Sequence, residues 1–210
     1  MKKQISLFLL VSLIFSISSV DAKPKNLRKS HPNIGFGVKA GLNYASQSST
    51  VSTPDVDLSS IIRMNGGAYF NYFFLKSLAI QPELMLSGKG THWQDPYYNA
   101  KDVLTYLELP VLIKFQPVDL LNFHIGPDFS YLVKATQKDL DNNQSADIKD
   151  YYKKFDLGLA FGIEATLPFR VYITIRYVLG LKTATTDTQY DTPWKNNFFQ
   201  ISAGYRILGK

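Results

Sequence analysis

The chain has 210 residues, a formal charge of +6 and no cysteine. That length suits one domain with a real core, and the missing thiol excludes disulfides, thiol catalysis and a lipid-modified N-terminal cysteine. The positive excess is spread along the chain and forms no basic stripe interleaved with aromatics, so nucleic acid is not an expected partner.

The N-terminus reads MKKQISLFLLVSLIFSISSVDA. Lys2 and Lys3, the apolar run from Ile5 to Val20, and Val20-Asp21-Ala22 have the order of a secretory signal peptide with its cleavage site. The run falls short of the about 20 apolar residues of a spanning helix. Residues 1–22 are therefore expected to be removed after Ala22. Without Lys2, Lys3 and Asp21 the charge becomes +5. Lys23, Lys25, Arg28 and Lys29 then belong to a solvated periplasmic tail over 23–33, followed by a single barrel domain over 34–210.

From Ile34 onward the chain alternates apolar and small or polar residues, which predicts strands. Ile34, Phe36, Val38, Ala40, Leu42 and Tyr44 form the first apolar file, opposite Gly35, Gly37, Lys39, Gly41 and Asn43. The second sets Ile62, Met64, Ala68, Phe70 and Tyr72 against Arg63, Asn65, Gly67, Tyr69 and Asn71. The third sets Leu78, Ile80, Leu84 and Leu86 against Gln81, Glu83, Ser87 and Lys89. The fourth, YLELPVLIKF, sets Leu107, Leu109, Val111, Ile113 and Phe115 against Tyr106, Glu108, Pro110, Leu112 and Lys114. Four more follow, around Phe123–Val133, Phe155–Leu167, Val171–Leu181 and Phe199–Ile207. Their polar files carry His124 and Asp128, then Asp156 and Glu164, then Arg170 and Arg176, and finally Gln200 and Arg206.

Connections at 75–77, 117–121 and 168–169 are short, whereas 46–61, 92–102, 135–152 and 183–196 are longer and polar. Eight strands with short turns at one end and long loops at the other predict an all-β, eight-stranded antiparallel up-and-down transmembrane barrel, with both termini at the short-turn, periplasmic end. A soluble lipocalin-like barrel would reverse the faces. Against it, the polar file is rich in Gly and Ala and poor in Lys and Glu. The apolar file is aromatic at its ends, at Tyr44, Phe74, Phe115, Phe123, Phe155, Tyr177 and Tyr205, as interfacial girdles are.

Eight strands enclose a lumen that side chains can just fill. The expected lumen charges are Lys39, Arg63, Lys89, Lys114, Arg170, Arg176 and Arg206 against Glu83, Glu108, Asp128, Asp156 and Glu164. Buried charges require partners, so a luminal salt-bridge network is expected, with a narrow polar pore for small solutes as the alternative. Pro82 and Pro110 each remove a ladder donor, which predicts a bulge or a strand end.

Catalytic signals are thin, and no enzyme activity, cofactor or metal site is expected. His92 at the outer rim could approach Ser87, but no motif supplies an oxyanion hole. Asp139, Asp141, Asp147 and Asp150 lack the Gly and Glu of a calcium loop. Trp93, Tyr97, Tyr98 and Trp194 are loop candidates for gripping a partner or, in the favoured reading, for resting at the lipid headgroups.

GVKAGLN (37–43), IQPELMLSGKG (80–90), YLELPVLIKF (106–115), GPDFSYLV (126–133), FDLGLAFGIE (155–164) and RYVLGL (176–181) resemble, in order and over essentially the whole mature chain, the PorT-like outer-membrane β-barrel family. The resemblance implies an outer-membrane barrel inserted by the barrel-assembly machinery into lipid. Name-giving members assist type IX secretion, so a secretion-system or surface-protein partner is implied too. No catalytic residues come with the family. The chain closes YRILGK rather than on an aromatic residue.

Overall fold

The computed structural model describes residues 34–49, 57–94, 99–186 and 194–209. The predicted signal peptide, the tail to residue 33, Tyr97 and Tyr98 lie outside them. The described residues form nine strands: β1 (Ile34–Ser49), β2 (Asp57–Phe73), β3 (Leu78–Gln94), β4 (Asn99–Val118), β5 (Leu121–Asp139), β6 (Ser145–Asp147), β7 (Phe155–Thr166), β8 (Val171–Gly180) and β9 (Trp194–Leu208). Eight of them close into a ring of antiparallel neighbours, with β1 paired to both β2 and β9, and β4 paired to β5. β6 is a three-residue annex on β5, outside the ring. Closure leaves no free edge among the eight, so the ladders satisfy the backbone polar groups that lipid cannot.

The two faces settle what the barrel's wall touches. On β4, Leu107, Leu109, Ile113 and Phe115 are 40–47% exposed, whereas Tyr106, Glu108, Leu112 and Lys114 are at most 2% exposed. Charges are inside and aliphatic rows are outside, the reverse of a soluble barrel. A wall of this kind is stable only against lipid. On the outer face Tyr131–Phe155, Phe161–Tyr177 and Tyr177–Phe199 form cross-strand aromatic pairs with centroids 5.2, 5.6 and 4.6 Å apart.

Short turns at 74–77, 119–120 and 167–170 lie at the end of the barrel where β1 starts and β9 finishes, with Phe36 beside Leu208. This is the turn end; the opposite end is the loop end. At the turn end Tyr69 and Tyr172 meet edge to face inside the barrel, 5.4 Å between centroids. They fit because residues 37 and 204 are glycine: a Cβ at Gly204 would overlap the Tyr172 ring, and one at Gly37 would sit 2.6 Å from the Tyr69 ring.

Three expectations need correction. The strands run further than the apolar files: β2 begins at Asp57, β3 ends at Gln94, β4 begins at Asn99 and β5 ends at Asp139, all within stretches expected to be loop. Polar residues extend these strands because ladder bonds continue past the apolar band into water. Pro82 and Pro110 create no bulge, since register is the same on either side of both. Each proline removes one donor without inserting a residue, so individual pairs lapse and the count is kept. Register shifts fall elsewhere, at Phe36/Gly37, Ser60/Asn65, Thr105/Tyr106 and Phe115/Val118. Finally, Arg170 is not luminal. It occupies the exposed turn Pro168–Arg170 with φ 65°, beside Phe169 at φ 62°, and donates to Ile207 O at 3.0 Å. Two successive left-handed residues turn its side chain out of the file that begins at Tyr172.

Candidate functional site

The lumen is the richest concentration of chemistry in the molecule. Glu83 on β3, the register partner of Tyr69, is fully enclosed and is a hub of the network. It accepts from Lys39 on β1, from both terminal nitrogens of Arg176 on β8 at 2.8 and 2.9 Å, and from Gln81 at 2.6 Å. The two-pronged arginine contact is the strong form of this pairing. Arg176 Nε donates to His124 Nε2 at 3.1 Å, so that ring nitrogen presents a lone pair. A second pair joins Lys114 on β4 to Glu164 on β7 at 2.6 Å, with Asn122 donating to the same carboxylate at 3.2 Å.

Towards the loop end, Lys89 lies 2.8 Å from Glu108 and donates to Ser130 at 3.1 Å. Its ammonium also sits 4.6 and 4.8 Å from the Tyr106 and Phe198 ring centres, a cation–π cradle. Asp156 accepts from Asn196 at 2.8 Å, and Asp128 is buried on the same side with one oxygen lacking a partner among the described residues. Between the charged groups runs an amide and hydroxyl mesh: Asn43 donates to Ser87 and Gly88 O and accepts from Asn65 and Gln200, while Ser202 donates to Asn65. Each link joins two different strands on the inner face, so the network ties the wall to itself.

Lys39, Lys89, Lys114 and Arg176 thus face Glu83, Glu108, Asp128, Asp156 and Glu164 within the lumen. Arg206 is half-buried at the turn end beside Tyr69. Arg63 is not part of the network. It lies in the wall where β2 and β3 lose register, beside Gly88. An inserted residue re-aims its neighbours, and alternation alone does not register this.

The loop end is capped. Ile148, Tyr152 and Ala184, from the β5–β7 and β8–β9 connections, pack onto Leu104, Tyr106, Leu132 and Ala135. Lys153 N donates to Ala184 O and joins the two connections of the cap, and Ala184 N donates to Trp194 O and ties the cap to the wall, both at 2.7 Å. Tyr152 donates to Asp102 at 2.8 Å; burial, and then the adjacent Asp102 carboxylate, hold its hydroxyl well above the ordinary tyrosine range. Trp93 Nε1 and Gln137 donate to the same carboxylate, at 2.9 and 3.0 Å. Trp93 and Trp194 meet edge to face at 4.8 Å, and Trp194 is buried. The expectation that these tryptophans rest at the lipid headgroups is therefore corrected. Both sit on strands, in the file that faces inward, and they close the mouth. Asp102 and Tyr152 were missed as members of this cap, although Asp102 stands in the same alternating file as Tyr106 and Glu108.

His92 and Ser87 are not brought together. Ser87 faces inward and is held by Asn43, while His92 contacts Asn99 Oδ1 at 2.7 Å. The loop acids are also dispersed. Asp139 accepts from the side chain and backbone of Asn142 and from Asp141 N, Asp147 accepts from Lys149 N, and no metal-holding group of three or more occurs among the described residues.

The sequence matches the outer membrane protein beta-barrel domain over residues 25–186. No curated protein matches it in sequence. Among solved structures it is similar to Ail, the attachment invasion locus protein of Yersinia pestis, with a TM-score of 0.50 and 12% identity over 84% of this chain and 100% of that one. Ail in complex with the heparin analogue sucrose octasulfate aligns to the same extent. Neisserial surface protein A is similar at a TM-score of 0.48 and 12% identity, over 81% of this chain and 96% of that one. At these identities the likeness concerns fold alone. A sequence match over most of the chain, a closed eight-stranded ring and a lipid-facing apolar wall agree: the chain belongs to the outer membrane protein beta-barrel domain family and resides in the outer membrane.

Proposed function

We propose that this barrel is a non-enzymatic, non-conducting outer-membrane anchor whose loop end meets a partner or ligand. The observation that carries the reading is the filled lumen: ion pairs and amides cross its middle, and Ile148, Tyr152, Ala184 and Trp194 close its mouth. Solute passage and luminal catalysis both need open space, and among the described residues buried side chains occupy the lumen and its mouth. What remains for function is the surface at the loop end, on connections that a rigid scaffold holds in place.

In this reading the signal peptide is removed after Ala22, the barrel-assembly machinery inserts the chain, and the loop end faces outward. The resemblance to PorT-like barrels adds a specific form, an accessory to protein secretion whose partner is a secretion-system component or a surface protein. The narrow-pore reading has less support, because a pore would require Arg176, Glu83 and Lys39 to separate.

Two measurements test the proposal. In planar bilayers the purified protein should stay silent; a steady single-channel current would refute the non-conducting reading. In cells, residues 50–56 and 187–193 are replaced by short turns, with the heat-modifiable gel band confirming a folded barrel. Loss of whatever secretion or surface phenotype the full deletion shows supports loop-mediated binding, and full retention of it overturns that idea. Lipid A altered by overexpression would overturn the non-enzymatic reading.

A further inference from the structure

Between the pairs Ser60–Thr91 and Asn65–Ser87, β2 contributes one residue more than β3, and the ladder lapses. Arg63 sits in this breach. By alternation it belongs inside, yet a Cβ added to Gly88 would lie 2.7 Å from Arg63 Cβ and 3.0 Å from its Nε. Gly88 is the register partner of Thr105, in the file that faces out. Arg63 therefore lines a groove in the wall with Met64, Gly66, Leu86, Gly88 and Thr105. Met64 and Leu86 are 76% and 57% exposed on the lipid side, and the two glycines leave the hollow between them. Arg63 Nε is buried without a hydrogen-bond partner, and no carboxylate among the described residues pairs with the guanidinium. A cationic donor in such a place is costly until an anion reaches it.

The rows of the outer wall give the depth of this groove. Gly66, Leu86, Leu107, Tyr131 and Phe155 are successive register partners and make an aromatic and aliphatic row. The next row towards the loop end holds Gly88, Thr105 and Lys134, the lysine lying at the β4–β5 register shift. Two residues along a strand advance about 7 Å, roughly the thickness of the polar zone beyond the hydrocarbon. Further out His92, Lys101 and Lys138 share a row, with Lys101 directly opposite Lys138. Like charges so placed repel, and a shared anion relieves that repulsion.

We propose that this groove is a binding site for the phosphorylated headgroup of a membrane lipid. The Arg63 guanidinium, the Thr105 hydroxyl and the Lys134 ammonium take the phosphates. An acyl chain lies against Met64 and Leu86, and Lys101 and Lys138 meet anionic groups above. The span from β2 to β5 is about 14 Å at ordinary strand spacing, a distance that two long side chains close around one headgroup bearing more than one phosphate. The guanidinium fork suits phosphate better than an ammonium does. The site is independent of what the loops bind.

The test is native mass spectrometry of the full barrel released from a neutral detergent containing diphosphorylated lipid A. Wild type should retain one lipid A, and Arg63→Gln with Lys134→Gln should retain at least tenfold less. Arg63→Lys should recover part of the loss. Folding of each variant is read from its heat-modifiable band; if the double variant does not fold, Lys134→Gln alone, on the exposed face, is expected to weaken retention several-fold. Equal retention of dephosphorylated lipid A, or equal retention by a folded variant, overturns the proposal. Displacement of lipid A by millimolar inorganic phosphate would overturn it too, by making the site one for small anions.

Discussion

Glu83→Gln is the sharpest perturbation of the lumen. The wild-type carboxylate is enclosed on all sides and receives Lys39, both prongs of Arg176 and the amide of Gln81. Glutamine keeps the volume, so no cavity forms, but it removes the charge that two buried cations share. Breaking one buried pair by removing a single partner costs about 3–5 kcal/mol. Here two cations lose the same partner, while Glu164 stays with Lys114, so a loss at the upper end, about 5 kcal/mol, is expected. Denaturant unfolding in detergent micelles, followed by loss of the fast-migrating unheated band, measures it. Glu164→Gln provides the comparison: one lysine is orphaned, and Gln81 Oε1 remains 3.4 Å from it, so the cost should be clearly smaller. A Glu83→Gln barrel that unfolds within about 1 kcal/mol of wild type would refute the reasoning. It would mean that water enters the lumen and screens these charges.

Other outcomes follow from the cap, the turn end and the loops. Tyr152→Phe removes the hydroxyl that serves Asp102 and Gln47 and leaves a buried carboxylate short of one donor. It should cost about 1–3 kcal/mol and change the fluorescence of Trp93 and Trp194, read in the same unfolding experiment. Gly204→Ala places a methyl group in the Tyr172 ring; the resulting overpacking should cost about 1–3 kcal/mol and lower the temperature at which the gel band shifts. Hydrogen bonds from the Asn142 side chain, and then from its backbone, hold the exposed Asp139 carboxyl below the usual carboxylate range. Its depressed value means that the turn is supported above the ordinary aspartate range and loses that support as pH falls through the folded value. Amide exchange at Asp141 and Asn142, corrected for intrinsic rate, should therefore accelerate below about pH 4; an unchanged protection factor would remove the carboxylate from the account.

The sequence by itself determined the ring. A two-residue period across eight segments admits only strands, and aliphatic files facing a glycine-rich polar file orient those strands with their oily side out. Lys39, Glu83, Glu108, Lys114 and Arg176 were legible as one face for that reason. Which of them pair was not, because Lys39, Glu83 and Arg176 come from β1, β3 and β8, and only closure of the ring with its particular stagger sets them side by side. Alternation also failed at two places where the backbone leaves the regular ladder. Arg63 was read as luminal and lies in the wall because the β2–β3 register slips, and Arg170 leaves the file because two left-handed residues turn the chain. The tryptophans were misplaced on another ground: a polar, turn-rich composition reads as loop, yet ladder hydrogen bonds carry β3 and β9 past the apolar band. Periodicity is a local property of the backbone, and it fixes the face of each side chain. Partners and depth depend on register, stagger and closure, which exist only once distant strands have met.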